Sequence, residues 1–461
     1  MTAPTAHTRA TLITGAAILG GERRDLAIVD GALVDPTTID RDSADVVDAS
    51  GLIALPGLVD LHTHLRQPGG EQAETVATGV RAAAAGGYTC VFAMANTNPV
   101  ADTRAVVEQV HRLGQEAGLA TVRPIGAVTV GLAGERLADM TMLARSAARV
   151  TVFSDDGKCV ADAELMRRAL EHAASLGAVV AQHAQDPDLT RGAVMHEGPL
   201  SAELGLAGWP SVAESSIVAR DAMLAELTGA RLHVCHVSTA GTVEVVRAAK
   251  ARGIAITAEV TPHHLLLTEQ LVRGYDARFK VNPPLRTDAD VQALREALAD
   301  GTIDIVATDH APHAPEAKQT AFADAAFGMV GLETALGAVQ EAMVETGLLD
   351  WAGVARVMST APAAIGQEAG YDAPLEIGSP AHVVLVDPAA RTTIDTGSLR
   401  GRSANSPFLG IELPGSVRHV WRGGRRTVAD AVVVEAVVEA AVGAAVGAAV
   451  GAAPLEGQVR A

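Results

Sequence analysis

Ile53-Ala54-Leu55-Pro56-Gly57-Leu58-Val59-Asp60-Leu61-His62-Thr63-His64-Leu65-Arg66 is the stretch on which the fold turns. An apolar run with a Pro-Gly break leads into a buried strand, and two histidines one residue apart close it. On extended backbone, residues i and i+2 share a face, so both imidazoles leave the strand's C-terminal end on one side and can grip one metal ion. A lone His-x-His pair has bland explanations too, so the weight rests on what else stands in the same register.

Seven further apolar runs follow, ending at Val91-Phe92-Ala93-Met94, Arg123-Pro124-Ile125-Gly126, Val152-Phe153-Ser154, Val179-Val180-Ala181-Gln182-His183, Leu232-His233-Val234-Cys235-His236, Ala255-Ile256-Thr257-Ala258-Glu259 and Ile305-Val306-Ala307-Thr308-Asp309. Amphipathic segments lie between them, for example Glu74 to Ala85, Glu164 to Leu176, Val212 to Leu227 and Val291 to Ala299. Eight β-α alternations over about 250 residues predict an α/β protein with a closed (β/α)8 barrel of the TIM type. We assign the barrel to 56–370. The flanks, 1–55 and 371–430, hold short strands and tight turns such as Asp30-Gly31, a hairpin signal. They are expected to join as one small β domain. The tail, 431–461, is a low-complexity run of Ala, Val and Gly, with Gly443, Gly447 and Gly451 four apart. A helix would align them as a small-residue stripe; an extension without packed structure is the preferred reading.

Composition narrows the function classes. The chain has 461 residues, 48% hydrophobic and 20% charged, which is globular composition. Its net charge of -18 argues against nucleic acid and anionic membranes, which select basic clusters. Cys90, Cys159 and Cys235 are odd in number and show no C-x-x-C spacing, so neither a disulfide framework nor a thiolate zinc site is implied, and a cytoplasmic location fits. Thr11 to Leu19 could pass for a weak signal-peptide core, but it lacks a basic cluster in front and Glu22-Arg23-Arg24-Asp25 follows, so it reads as a strand. No charge-free apolar stretch reaches the roughly 18 residues of a membrane span.

Ligand-type residues recur at the strand ends: His62 and His64, Asp155 and Asp156, His183, His236, then Asp309 with His310 and His313. In a barrel such positions surround one mouth. Four imidazoles and two carboxylates suit two borderline metal ions such as Zn²⁺. Either strand-four aspartate could bridge them, and Asp309 could carry a proton to a leaving nitrogen. The chemistry expected is metal-assisted hydrolysis, or its reverse, at an amide-like carbonyl.

At this point the chain resembles the amidohydrolase superfamily and, within it, the dihydroorotase family of the bacterial single-function type. The resemblance spans roughly residues 10 to 430. It is carried by the opening stretch and by Ala95-Asn96-Thr97-Asn98-Pro99, Phe153-Ser154-Asp155-Asp156-Gly157, Lys280-Val281-Asn282-Pro283-Pro284-Leu285-Arg286, Ala307-Thr308-Asp309-His310-Ala311-Pro312-His313 and Phe327-Gly328-Met329-Val330-Gly331-Leu332-Glu333-Thr334. It implies His62, His64 and Asp309 as ligands of one zinc, His183 and His236 as ligands of the second, and Asp156 as the bridge with Asp155 as fallback. Many superfamily members bridge through a carbamylated lysine; no lysine stands at the end of strand four ahead of the motif, and Lys158 lies beyond the glycine. Substrate contacts are implied at His64, Arg66, Asn96, Asn282, His313, Phe327 and Gly328, with Asp309 catalytic. Arginine offers a carboxylate a charge-assisted fork, and Asn and His offer neutral donors. His263 and His264 carry no implied metal role and read as loop or supporting groups.

The implied reaction is reversible cyclisation of N-carbamoyl-L-aspartate to L-dihydroorotate in pyrimidine synthesis, through a hydroxide held between two zinc ions and an Asp309 proton shuttle. A related cyclic amidase (dihydropyrimidinase, hydantoinase or allantoinase) is the nearest alternative, and a non-catalytic scaffold for aspartate transcarbamoylase the next. Association with that enzyme, and a homo-oligomer, are open for an active protein too.

Overall fold

The structure is a computed structural model that describes residues 9–434. The expected Gly443, Gly447 and Gly451 stripe, and most of the Ala/Val/Gly tail, lie outside the described residues.

Leu58–Thr63, Tyr88–Ala93 and Thr121–Pro124 form one parallel sheet. Val152–Phe153, Val179–Gln182, Arg231–Val234, Ile256–Val260 and Ile305–Val306 form a second, also parallel and in chain order. Single bridges join the two at both seams, Gly126 to Phe153 and Thr63 to His310. Backbone bonds reinforce them: Ser154 N to Gly126 O at 2.9 Å and His64 N to His310 O at 2.8 Å. The eight strands thus close into the (β/α)8 barrel expected from the apolar runs. Helices Val76–Ala85, Ala163–Leu176, Val212–Thr228 and Asp288–Asp300 occupy the amphipathic segments read from the sequence.

The period-two alternation of each strand divides its side chains between two cores. Val91, Val122, Phe153, Val180, Leu232 and Val306 pack with Val107, Leu170, Ile217, Val243 and Leu294 of the surrounding helices. Val59, Cys90, Phe92, Ile125, Val152, Ala181, Cys235 and Ile305 form the other, inner cluster.

The quoted opening stretch serves both parts of the fold. Ile53–Pro56 pairs antiparallel with the strand Val383–Thr393, Val383 opposite Pro56 and Val386 opposite Ile53. Gly57 N then donates to His382 O at 3.0 Å, and Leu58 begins the barrel. Through that pairing, strands from the two ends of the chain make one nine-stranded sheet. Asp30 and Gly31 turn the hairpin between Arg23–Val29 and Ala32–Val34 with φ of 48° and 86°, the doubly left-handed form of a two-residue hairpin. Thr11–Ile18 is a strand of this sheet. The sheet runs a little past residue 430, since Val432–Val433 pairs with Val428 and Ala429.

Candidate metal centre

His62 and His64 leave the first barrel strand together, and both Nε2 atoms approach Asp156 Oδ2, at 3.4 and 3.3 Å. The other oxygen, Asp156 Oδ1, lies 3.2 Å from His183 Nδ1 and 3.3 Å from His236 Nε2. One carboxylate therefore divides its oxygens between two histidine pairs. Asp309 Oδ1 completes the first group, 3.0 Å from His64 Nε2 and 3.4 Å from His62 Nε2. His236 and Asp309 have φ of 32° and 47°. Left-handed backbone at a non-glycine residue costs on the order of 1–3 kcal/mol, and it occurs here at the strand ends where side chains must meet.

The arrangement asks for a cation. His62 Nε2 is buried without a hydrogen-bond partner, and His183 Nδ1 and His236 Nε2 converge to 2.9 Å. Burial works against charge on His62, but Asp156, Glu259 and Asp309 together raise its pKa well above the usual imidazole range. Burial likewise opposes ionisation of Asp156 and Asp309, yet the surrounding histidines hold Asp156 well below the carboxylate range and Asp309 at about 2. The donor groups His62, His64, Asp156 and Asp156, His183, His236 each gather within bonding range of one ion, and nitrogen with carboxylate oxygen suits zinc-like divalent metals.

Asp155 is placed elsewhere. Its Oδ1 accepts from Val128 N and Thr129 N at 2.8 and 2.9 Å, and its Oδ2 from the Thr129 hydroxyl. Lys158 is exposed, so its amine is not buried among these donors. The strand has ended at Phe153, and the turn that follows, closed by Lys158 N to Asp155 O at 2.9 Å, sends the two carboxylates to different partners.

Glu259 was not singled out by the sequence and is central to the geometry. Its Oε1 lies 2.6 Å from His62 Nδ1 and 3.1 Å from His236 N, and its Oε2 3.0 Å from His233 Nε2. By accepting from Nδ1–H, the Glu259 carboxylate fixes the His62 ring with Nε2 toward Asp156. Burial would raise the Glu259 pKa, but His62 and His233 hold it far below the usual range. A charged residue inside an apolar strand run is the signal that could have found it, because a buried carboxylate needs such partners. Cys235 and Glu259 also gather near His62, but burial pushes the Cys235 thiol far up, which leaves it a poor ligand. Replacing Glu259 by Gln keeps the shape and removes the charge. Metal affinity is expected to fall about 10- to 100-fold, as for other partners of metal-bound histidines. Competition against a calibrated chelator measures it, and an unchanged affinity removes Glu259 from this role.

The residues expected to touch substrate fall into three hydrogen-bonded groups beside these donors. Asn96 Oδ1 lies 2.9 Å from His64 Nδ1. Gln185 Oε1 is shared by His183 Nε2 at 2.8 Å and Asn282 Nδ2 at 3.1 Å. Arg66, with φ of 60°, donates from Nε to Pro312 O at 3.0 Å, and its Nη2 stands 3.5 Å from His313 Nε2. His313 Nε2 donates to Phe327 O at 2.6 Å. Burial and then Arg66 lower the His313 pKa to about 3, so its ring is neutral. Gly328 has φ of 130°, and a Cβ there would fall 2.7 Å from Ala311 Cβ and 2.9 Å from His313 Nε2. Only glycine fits.

Asn282 Nδ2 places one of its two N–H groups on Gln185, and the buried Oδ1 is left without a partner, so the amide offers an acceptor beside the expected donor. Thr261 caps the short helix Pro262–Leu266 by accepting from His264 N at 3.2 Å, and the His264 ring lies with Nδ1 2.8 Å from Thr261 Oγ1 and Nε2 3.2 Å from Pro283 O.

A sequence profile described as "Dihydro-orotase-like" matches residues 51–242. The chain is 63% identical over 422 residues to a dihydroorotase of Streptomyces coelicolor, covering 91% of this chain and 98% of that protein. It is 63% identical over 426 residues to one of Leifsonia xyli, covering 92% and 97%. A dihydroorotase of Mycobacterium tuberculosis is 56% identical over 415 residues, covering 90% and 96%. Among solved structures, an L-hydantoinase (dihydropyrimidinase) from Arthrobacter aurescens superposes with a TM-score of 0.82 at 23% identity, covering 92% of this chain and 97% of that one. A dihydropyrimidinase from Brevibacillus agri superposes with a TM-score of 0.80 at 24% identity, covering 92% and 96%. These two share the barrel-plus-β-domain fold.

Proposed function

The chain belongs to the dihydroorotase family, and from that premise we propose that it interconverts N-carbamoyl-L-aspartate and L-dihydroorotate through a two-zinc centre. The observation that carries the reading is the sharing of Asp156 between two histidine pairs, with the Arg66 guanidinium on the neighbouring loop.

His62, His64 and Asp309 would hold one zinc and His183 and His236 the other, with Asp156 placed to be shared between them. When bound, the ions lower the pKa of water toward neutrality and polarise the amide carbonyl. The chain's own groups do the rest. The Arg66 guanidinium takes the ring carboxylate, because a planar fork matches a carboxylate and stays charged. Asn96 and Asn282 orient the ring from opposite sides of the donor cluster, Asn282 accepting a ring N–H at Oδ1. Backbone groups of Phe327 and Gly328 border the ring, and His313 keeps that border fixed. In the opening direction the attacking water's oxygen bonds to the ring carbonyl carbon, the free oxygen of Asp309 accepts that water's proton, and the proton passes to the ring nitrogen as the C–N bond breaks; closure runs the transfer in reverse.

No helix among the described residues is long and apolar enough to cross a membrane. Cys90, Cys159 and Cys235 are free thiols, in keeping with a reducing cytoplasm.

The test is turnover of the zinc-loaded protein on L-dihydroorotate, with dihydrouracil, hydantoin and allantoin in parallel. Selective hydrolysis of dihydroorotate is expected. Hydrolysis of the rings without a carboxylate moves the protein to the neighbouring amidases and ends the Arg66 argument. Arg66→Ala is expected to raise KM for L-dihydroorotate by about tenfold to a hundredfold, the scale of charge-assisted hydrogen bonds, with metal content unchanged. An unchanged KM means that the carboxylate is held elsewhere.

A further inference from the structure

Residues 400–406 come from the C-terminal part of the chain and are tied down along the barrel loops. Arg400 N donates to both Glu333 oxygens at 2.8 Å, and Gly401 N to Glu333 Oε1 at 3.1 Å. Arg402 N donates to Glu74 Oε1 at 3.1 Å, and Ser403 Oγ to Ala73 O at 2.6 Å. The segment then delivers Asn405, 7% exposed, between two loops far from it in sequence. Asn405 Oδ1 accepts from His313 N at 3.0 Å. Asn405 Nδ2 donates to Ala311 O at 3.0 Å and to Gly328 O at 3.2 Å. Its own carbonyl accepts from Val330 N at 3.2 Å.

One buried amide thus satisfies three backbone groups on two loops, the one carrying His313 and the one carrying Phe327 and Gly328. A buried backbone group left unpaired is expensive, so the amide adds a second tie between loops that Ala311 N already joins to Met329 O at 2.7 Å. The same loops are already in tight register, since His313 Nε2 reaches Phe327 O and a Cβ on Gly328 would strike His313.

We propose that Asn405 is a positioning residue for the substrate: its side-chain amide fixes the distance between the His313 loop and the Phe327–Gly328 loop, and so the width of the ring-binding wall. The proposal rests on the reading of those residues as substrate contacts. Asn405 touches none of the metal donors, so its loss acts on substrate affinity and not on the metal.

The test compares Asn405→Ala, Asn405→Asp and Ser403→Ala in the full zinc-loaded chain, by steady-state hydrolysis of L-dihydroorotate, metal content and melting temperature. Asn405→Asp keeps size and the acceptor for His313 N but turns an oxygen on the carbonyls of Ala311 and Gly328, so it decides the matter if the alanine variant does not fold. Ser403→Ala removes an anchor of the segment without touching either loop. Both Asn405 variants are expected to raise KM by about tenfold or more, with kcat within about threefold and metal content unchanged. Ser403→Ala is expected to lower the melting temperature and leave KM alone.

Unchanged KM in the Asn405 variants overturns the proposal, as does a fall in kcat that only tracks lost metal or lost folded protein. An equal rise in KM for Ser403→Ala overturns it too, because the segment as a whole would then set the wall. If Arg66→Ala raises KM and the Asn405 variants do not, the positioning role fails while the functional reading stands. If the wild-type protein does not turn over L-dihydroorotate at all, both fall.

Discussion

Asp309→Ala is expected to lower kcat by at least about a thousandfold, within the range that a positioned acid–base group contributes, while most of the metal stays bound. The geometry sets both halves of that result. Asp309 follows the last barrel strand with φ of 47°, which turns its carboxylate back over the mouth. Oδ1 makes the close approach to the histidines, 3.0 Å from His64 Nε2 and 3.4 Å from His62 Nε2. The second oxygen is left to take and return the proton of the ring nitrogen. Beneath it, Asp60 holds the strand end in place, with Oδ1 accepting from His62 N and Thr308 N at 3.1 Å each. Removing the Asp309 side chain therefore subtracts one metal donor but leaves His62, His64 and Asp156 converging on the same point. Asp309→Asn separates the two functions further, since an amide can sit at the metal but cannot accept the proton. Its kcat is expected to match that of the alanine variant. Near-normal turnover in either variant removes Asp309 from the proton transfer.

The barrel and the gathering of the candidate donors at one mouth were legible in the sequence for a geometric reason. Parallel strands in chain order put all their C-terminal ends around one mouth, so His62, His64, His183, His236 and Asp309 needed only their position at the end of an apolar run to be placed together. Interactions that cross the barrel interior left weaker marks. Glu259 sits in a strand whose neighbours Ala258 and Val260 read as ordinary core, and only its long reach to His62 and His233 gives it meaning. Asn405 stands 92 residues from the His313 amide that it accepts from. No local periodicity links the two. The polarity of Asn282 depends on Gln185, a loop residue with nothing in its spacing to mark it. Residue types at strand ends were readable; which atom of an amide faces the cavity was not, because that depends on a partner folded in from another loop.

The choice between Asp155 and Asp156 is where sequence gave two adjacent carboxylates and packing separates them, and it yields the second large effect. On the proposed two-zinc reading, Asp156→Ala is expected to lose both metal ions and to reduce turnover to background. Each of its oxygens serves a different histidine pair, so its removal leaves four imidazoles facing one another with no anion between two divalent charges. Two cations a few ångströms apart repel strongly in a buried site, and an anionic bridge is what makes their joint occupancy favourable. Metal analysis after gel filtration, beside the rate on L-dihydroorotate, checks it. Asp155→Ala is the counterpart with the opposite signature. It strips the acceptor from Val128 N and Thr129 N and is expected to cost about 1–3 kcal/mol of stability, the scale of leaving buried donors unpaired. The melting temperature falls, yet the folded fraction keeps its metal. The reverse pattern, with Asp155→Ala stripped of metal and Asp156→Ala loaded, would transfer the bridge to the other aspartate. That outcome would require the loop at Val128 and Thr129 to release Asp155 when metal binds, a movement that hydrogen exchange at those two amides would report directly.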